Sequence, residues 1–182
     1  MQRIVRHSEA NKWWTRPSRV VLAVSADEEG RADIIALGWK MTTSGQPPMV
    51  AISIAPERHS HGIIQRTGEF VLSSPAEDMA KATMFCGTTS GRDTDKFKET
   101  GLTAMPASKV KPPLIGEALV NLECVVRGEL TTGDHTIFAG EIVASHVSEN
   151  PSRRLLLSIG HESGYKHLLS QGMYRFGVIR ND

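Results

Sequence analysis

Cysteine is scarce in this chain. Only Cys86 and Cys124 occur in 182 residues. They form neither a CxxC pair nor a zinc-ligand spacing, which argues against a redox or zinc motif and leaves one disulfide between them open. Reduced thiols and a cytoplasmic location are the expectation, with Cys86 a small core hydrophobe at a helix end. Long apolar runs are also missing. No stretch approaches the roughly 20 apolar residues of a spanning helix. The segment Met1 to Trp14 has no apolar run before a small-residue cleavage site, so neither a leader nor a membrane anchor is expected. Excess charge of one sign is absent: the formal net charge is +1. No stripe of Lys and Arg offers itself to nucleic acid. No GxGxxG follows a strand and no GxSxG elbow occurs. Of the seven histidines, only His59 and His61 lie close together, and no carboxylate shares their face, so no metal site is expected. No carboxylate pair suggests acid/base catalysis, and no side chain is assigned as a catalytic acid or base.

The residues that are present describe one domain over 1–182, with 40% apolar composition. Most of it reads as strand. Val20 to Ala26 and Ala32 to Trp39 form a hairpin around the turn cluster Asp27-Glu28-Glu29-Gly30. Met49 to Ala55 sets Val50, Ile52 and Ile54 on one face against the smaller Ala51, Ser53 and Ala55. That pattern suits a strand against which something flat packs. Glu69 to Ser73 is another strand. Ala118 to Leu130 and His135 to Val147 are long strands joined by a turn at Thr131 to Asp134. Leu155 to Ile159 and Met173 to Ile179 are further strands. Helices are expected over His61 to Thr67, Ala76 to Cys86 closed by Gly87, Asp93 to Thr100 ended by Gly101, and Glu162 to Ser170. Trp39 to Thr43 and Ser108 to Gly116 read as loops. Many strands with a few short inserted helices indicate a mostly β barrel, not a doubly wound sheet.

Two segments carry chemistry. At Glu57-Arg58-His59-Ser60-His61 a helix begins, and its first turn offers unpaired N–H groups and a favourable dipole to an anion. Arg58 adds a planar guanidinium, and Ser60, His59 or His61 a further donor. The same residues also read as an ordinary helix start, with Ser60 as N-cap. The second segment, Gly87 to Phe97, is small, hydroxylated and basic, yet it lacks the Gly-Lys-Ser/Thr ending of a P-loop. It reads equally as a loop before a helix capped by Asp93.

The order of elements across Ala36 to Pro75, with the Asp95-Lys96-Phe97 triplet and His135 followed by Phe138-Ala139-Gly140-Glu141, resembles the flavin reductase-like family of FMN-binding split β-barrels. The resemblance runs from about Arg16 to Tyr165. It implies an FMN-binding split β-barrel with a few inserted short helices, core about 16–165, and a segment 166–182 packing on the barrel or dimer. It implies FMN contacts from Trp39, Lys40, Met41, Thr42 and Thr43 along the ring. Arg58, His59 and Ser60 would sit at the phosphate, with Thr88, Thr89, Ser90 and Lys96 nearby, Lys96 reaching the flavin even from a partner subunit. His135 and Tyr165 would border the substrate, Tyr165 within the Gly160-His161 and Gly164-Tyr165 segment. Ile34 or Ile35 stands where many relatives carry Asn, and Trp39 remains readable as a core aromatic at a strand end.

The expected activity is that of an NAD(P)H:FMN oxidoreductase. Hydride or electrons pass from NADH or NADPH through FMN to free flavin, a partner oxygenase or another electron carrier. A homodimer with two FMN sites at its interface is expected, because one small barrel has little concave surface in which to bury a tricyclic ring. Two other readings stand beside it: a non-catalytic flavin or haem binder that relays electrons, and a cofactor-free barrel used for interaction.

Overall fold

A computed structural model describes residues 3–15, 17–150, 152–159, 166–168 and 173–178. In chain order the elements are α1 (His7–Trp14), β1 (Ser18–Arg19), β2 (Val21–Ala26), β3 (Ala32–Leu37), β4 (Lys40–Gly45), β5 (Pro48–Ile54), α2 (His59–Thr67) and β6 (Glu69–Ser74). A 3-10 turn, Glu77–Met79, leads into α3 (Ala80–Thr88), followed by α4 (Lys96–Thr100), β7 (Ala104–Met105) and β8 (Leu114–Ile115). The two long strands are β9 (Val120–Thr132) and β10 (His135–Val147). Then come β11 (Leu157–Ser158), β12 (Lys166–Leu168) and β13 (Met173–Val178).

Seven antiparallel strands form the main sheet in the order β3-β2-β6-β9-β10-β5-β4. Its two edge strands, β3 and β4, are consecutive in the chain and joined only by Gly38 and Trp39. So short a link spans about 10 Å, which forces the sheet to curl until its ends meet. The backbone N–H of Ser53 on β5 donates to Trp39 O, carrying the β4–β5 pairing into this link. A curled sheet of this kind is the split barrel expected from the sequence. The small strands make a four-stranded sheet, β1-β11-β13-β12, and a pair, β7-β8.

Strand β2 is buried along its whole length. Val21 and Ala23 face the barrel interior with Val50, Ile52, Ile54, Phe70 and Phe138. Leu22 and Val24 face a second cluster with Ile34, Val71, Cys86 and Ile115. Apolar side chains on both faces explain the unbroken VLAV run. On β10 the backbone at Gly140 lies against the Phe70 ring; a Cβ there would stand 2.6 Å from Phe70 Cζ. The backbone at this glycine therefore approaches a core ring closely.

Several sequence expectations need correction. Lys40 to Thr43 is strand, not loop: β4 pairs with β5 from Lys40↔Ile52 to Gly45↔Pro48. Its hydroxyl-rich sequence lacks an alternating apolar face, and only pairing with β5 makes it extended. Gly87 lies inside α3, which runs on to Thr88. A Cβ there would come within 3.2 Å of Ala36 Cβ, so the helix packs closely on β3 at this point. Helix α4 starts later than expected, capped by Asp95, whose side chain accepts from Lys98 N at 3.1 Å. Gly101 ends it in the left-handed region, as expected. In place of a helix over Glu162 to Ser170, residues 166–168 form strand. The remainder of that stretch, with Gly160, His161, Gly164 and Tyr165, lies outside the described residues. Helix α1 carried no recognised sequence signal.

Candidate functional site

The small-residue face of β5 points outward, opposite the barrel core. Ser53 and Ala55 on that face border a cavity of about 430 Å3. Its other walls are β3, the start of α2 and the turn after α3. Trp39, Arg58, His59, Ser60, Thr88, Thr89, Ser90, Lys96 and His135 all line it. The fold thus brings together the residues proposed around the phosphate, the hydroxylated loop and one residue of the substrate edge. Lys40, Met41, Thr42 and Thr43 are not among the lining residues. Met41, Thr42 and Thr43 are exposed on edge strand β4, and Lys40 is half-buried near Arg19. Burial and the charge of Arg19 hold the Lys40 ammonium below the usual lysine value.

One end of the cavity is basic. Helix α2 enters it with Arg58 in the N-cap position and no side chain capping the first turn. The leading N–H groups of such a helix have no intrahelical acceptor. Arg58 is more than half exposed and, among the described residues, pairs with Glu57 at 3.8 Å. Arg92, which the sequence reading did not single out, also lines the cavity and donates from Nη2 to Glu57 O at 3.3 Å. Two guanidinium groups therefore flank the helix start. Arg92 was hidden because the fold alone brings the turn after α3 beside the turn before α2.

Ser60 and Lys96 are present but differently engaged from expectation. Ser60 is not the N-cap; it lies inside the first turn of α2, buried, and donates from Oγ to Asp33 Oδ2 at 2.5 Å. Lys96 is buried within its own subunit. Its Nζ donates to Ile34 O at 2.5 Å and to Cys86 O at 3.4 Å. It also stands 2.9 Å from Asp33 Oδ1. That contact is an ion pair by distance but misses hydrogen-bond direction, so Oδ1 has no hydrogen bond of its own. Lys96 is thus engaged by two carbonyls and a carboxylate of its own chain.

The rim is aromatic. Trp39 packs on His135 with ring centroids 4.4 Å apart and planes tilted by 42°. The ring of His135 is fixed by a 2.7 Å contact between Nδ1 and Asp134 Oδ1. That contact holds the Asp134 carboxyl below the usual range. Trp39 is exposed at the cavity edge, which decides against the core-aromatic reading. His61, the other candidate at the helix start, turns inward, 2.9 Å from Thr136 Oγ1 and edge-on to Phe138. Among the described residues, no group of His, Cys, Asp and Glu could hold a metal ion. No helix there is long and apolar enough to cross a membrane.

The sequence model of the family described as "Flavin reductase like domain" matches residues 15–167. The chain belongs to this flavin reductase-like family. An uncharacterized protein of Pyrococcus abyssi is 40% identical over 128 residues, 70% of this chain and 73% of that protein. The NADH:riboflavin 5'-phosphate oxidoreductase of Streptomyces pristinaespiralis is 27% identical over 123 residues, 68% of this chain and 67% of that enzyme. Among solved structures, the flavoredoxin of Desulfovibrio vulgaris (Miyazaki F) superposes with a TM-score of 0.76 at 23% identity, covering 92% of this chain and 89% of that one. At that identity the likeness establishes the shared fold.

Proposed function

We propose that this flavin reductase-like chain is an FMN-binding oxidoreductase that takes hydride from NADH or NADPH. The observation that carries the reading is the cavity itself. It joins a flat wall of small side chains to an anion-binding end made of Arg58, Arg92 and the free N–H groups of α2. A phosphate at one end and a planar ring along β5 fit that division. The residues present therefore suit the mononucleotide. The named Streptomyces relative acts on riboflavin 5'-phosphate, which is FMN, and uses NADH.

In this reading Arg58 and Arg92 hold the phosphate by charge-assisted hydrogen bonds. Ser53 and Ala55 leave room for a flat ring because their side chains are short. Trp39 and His135 shield that edge of the cavity from water. FMN, when bound, supplies the hydride chemistry, and the protein supplies position and polarity. The acceptor is free flavin, a partner oxygenase or another electron carrier.

A homodimer completes the proposal. Trp39 and Met41 on the β4 side and Leu130 on β9 are 56%, 58% and 62% exposed. Strand register aligns Trp39 with Ser53, Ile137 and Leu130, and Met41 with Ala51, Ala139 and Gly128. All lie on the outer face that borders the cavity. A second copy laid on this face would bury the apolar stripe and deepen the site.

Purified protein supplemented with flavin should be yellow and release FMN on denaturation. NADH or NADPH should bleach its flavin band under anaerobic conditions. A colourless protein that does not quench added FMN would remove the reading. Bleaching by dithionite but by neither nucleotide would replace the enzyme with an electron relay. Leu130→Glu should shift light scattering from dimer to monomer; a wild-type monomer that binds FMN tightly would refute the interface site.

A further inference from the structure

The floor of the cavity contains a carboxylate, which is unexpected beneath an anion-binding end. Asp33 is 2% exposed and lines the cavity together with Ser60, Gly91 and Lys96. Its Oδ2 accepts the Ser60 hydroxyl in the first turn of α2, the same turn that presents free N–H groups. A bare carboxylate there would repel a phosphate. Lys96 Nζ, 2.9 Å from Oδ1, supplies the opposite charge. The same ammonium also binds Ile34 O on β3 and Cys86 O on α3, so one cation links three elements of the cavity wall. The turn after α3 rests directly on this pair. A Cβ on Gly91 would fall 2.0 Å from Asp33 Oδ1, and no side chain other than hydrogen fits. Gly91 is next to Arg92, so the seating of Gly91 on Asp33 sets where that guanidinium stands.

We infer that the buried Asp33–Lys96 pair is the positioning unit of the phosphate end. Lys96 cancels the Asp33 charge so that the cavity accepts an anion, while Asp33 orients the first turn of α2 through Ser60 and seats Arg92 through Gly91. Neither residue touches the anion in this account. The inference rests on the FMN reading proposed above. It differs from a purely structural role in one respect: it predicts that charge balance, not the presence of both side chains, governs phosphate selectivity.

The test measures affinity for FMN and for riboflavin, which lacks the phosphate, by fluorescence quenching. Lys96→Met keeps the length of the side chain and leaves Asp33 unbalanced. Its affinity for FMN should fall roughly ten- to a hundredfold more than its affinity for riboflavin, the scale of a like-charge clash in a poorly solvated site. Adding Asp33→Asn to Lys96→Met removes both charges and should restore the wild-type ratio of the two affinities. Gly91→Ala retains both charged side chains but forces its Cβ against Asp33 Oδ1, so the half-buried turn must move, and a urea midpoint close to wild type identifies the folded variant. By displacing Arg92 it should weaken FMN several-fold more than riboflavin. Equal losses for both ligands in Lys96→Met, or a double variant that folds without recovering the ratio, would overturn the inference. So would an unchanged ratio in Gly91→Ala. Wild-type protein that binds neither ligand would instead remove the FMN reading on which the inference rests.

Discussion

Among the described residues, Glu123 and Asp33 are the carboxylates buried to 2% exposure or less, and they are used in opposite ways. Glu123, on β9, is surrounded by donors. Oε1 accepts from Ser108 N at 2.9 Å and from its hydroxyl at 2.8 Å, and meets His146 Nε2 at 2.6 Å. Oε2 accepts from Lys109 N at 2.5 Å and Val110 N at 3.1 Å. Burial pushes the carboxyl up, but the Ser108 amide, His146, the Ser108 hydroxyl and the Lys109 amide together outweigh it, bringing it down to about 2. Asp33 has one hydroxyl donor and one cation, and one of its oxygens has no hydrogen bond. Glu123 satisfies the backbone of a proline-rich loop that cannot pair with a strand. Asp33 sits under a cavity with part of its capacity unused. The saturated carboxylate serves the fold, and the unsaturated one serves the site.

The largest expected effect breaks the first half of that contrast. Glu123→Ala leaves three buried or half-buried amides and His146 without their acceptor. Urea denaturation should show a loss of roughly 3–5 kcal/mol, the usual cost of removing one member of a buried, charge-assisted network. The ratio of FMN to riboflavin affinity should stay unchanged in the folded fraction. A change in that ratio would mean the two regions are coupled.

Acid titration sharpens the same point. The Glu123 carboxyl is depressed from 4.5 to about 2. Its stabilisation is therefore complete above pH 4.5 and lost as pH falls toward 2, because the unfolded chain binds the proton first. Wild-type stability should decline across this window, and Glu123→Gln should decline less steeply there. Parallel curves would show that Glu123 does not carry the acid limb.

At the other region the effects fall on ligand binding. Arg58→Ala should weaken FMN by roughly ten- to a hundredfold, the loss of about 1.5–3 kcal/mol for a charge-assisted bond, with riboflavin unaffected. Arg92→Ala should act in the same sense but by less, roughly two- to tenfold, since Arg92 is already shared with Glu57 O. A larger effect at Arg92 than at Arg58 would reverse their order at the phosphate. Neither change should move the urea midpoint appreciably, because both side chains are exposed.

The smallest effect is an expected absence. Burial, with the Asp33 charge adding and Lys96 opposing, pushes the Cys86 thiol up to about 11; burial and Glu123 push Cys124 up to about 12. Native protein should react with a thiol reagent at neutral pH only as fast as it unfolds. Rapid labelling of Cys86 would show that the wall of α3 behind Asp33 opens.

Much of this architecture was legible along the chain. The period-two pattern of Val50, Ile52 and Ile54 against Ala51, Ser53 and Ala55 marked both the barrel core and the flat outer wall. Gly101 marked a helix end because it adopts a positive φ of 71°. The segments around Arg58 and Thr88 to Ser90, each singled out for its chemistry, line one cavity. What misled was local chemistry whose partner lies far away in sequence. Lys40 to Thr43 looks like a polar loop until β5 pairs with it. Ser60 looks like an N-cap and Lys96 like a free cation until Asp33, 27 residues before the serine, is placed between them.

The sequence by itself determined the strand periodicities, the turn and cap residues and the basic helix start, because these depend on neighbours within a few residues. Only the tertiary structure decided which charges are free. Closure of the sheet brings β3, α2, α3 and α4 together, and burial there makes any unpaired charge costly. Lys96 and Ser60 are consequently engaged by Asp33, and Arg58 and Arg92 are left facing the cavity. The exposure of a charge depends on contacts between distant segments, and no local pattern of residues encodes it.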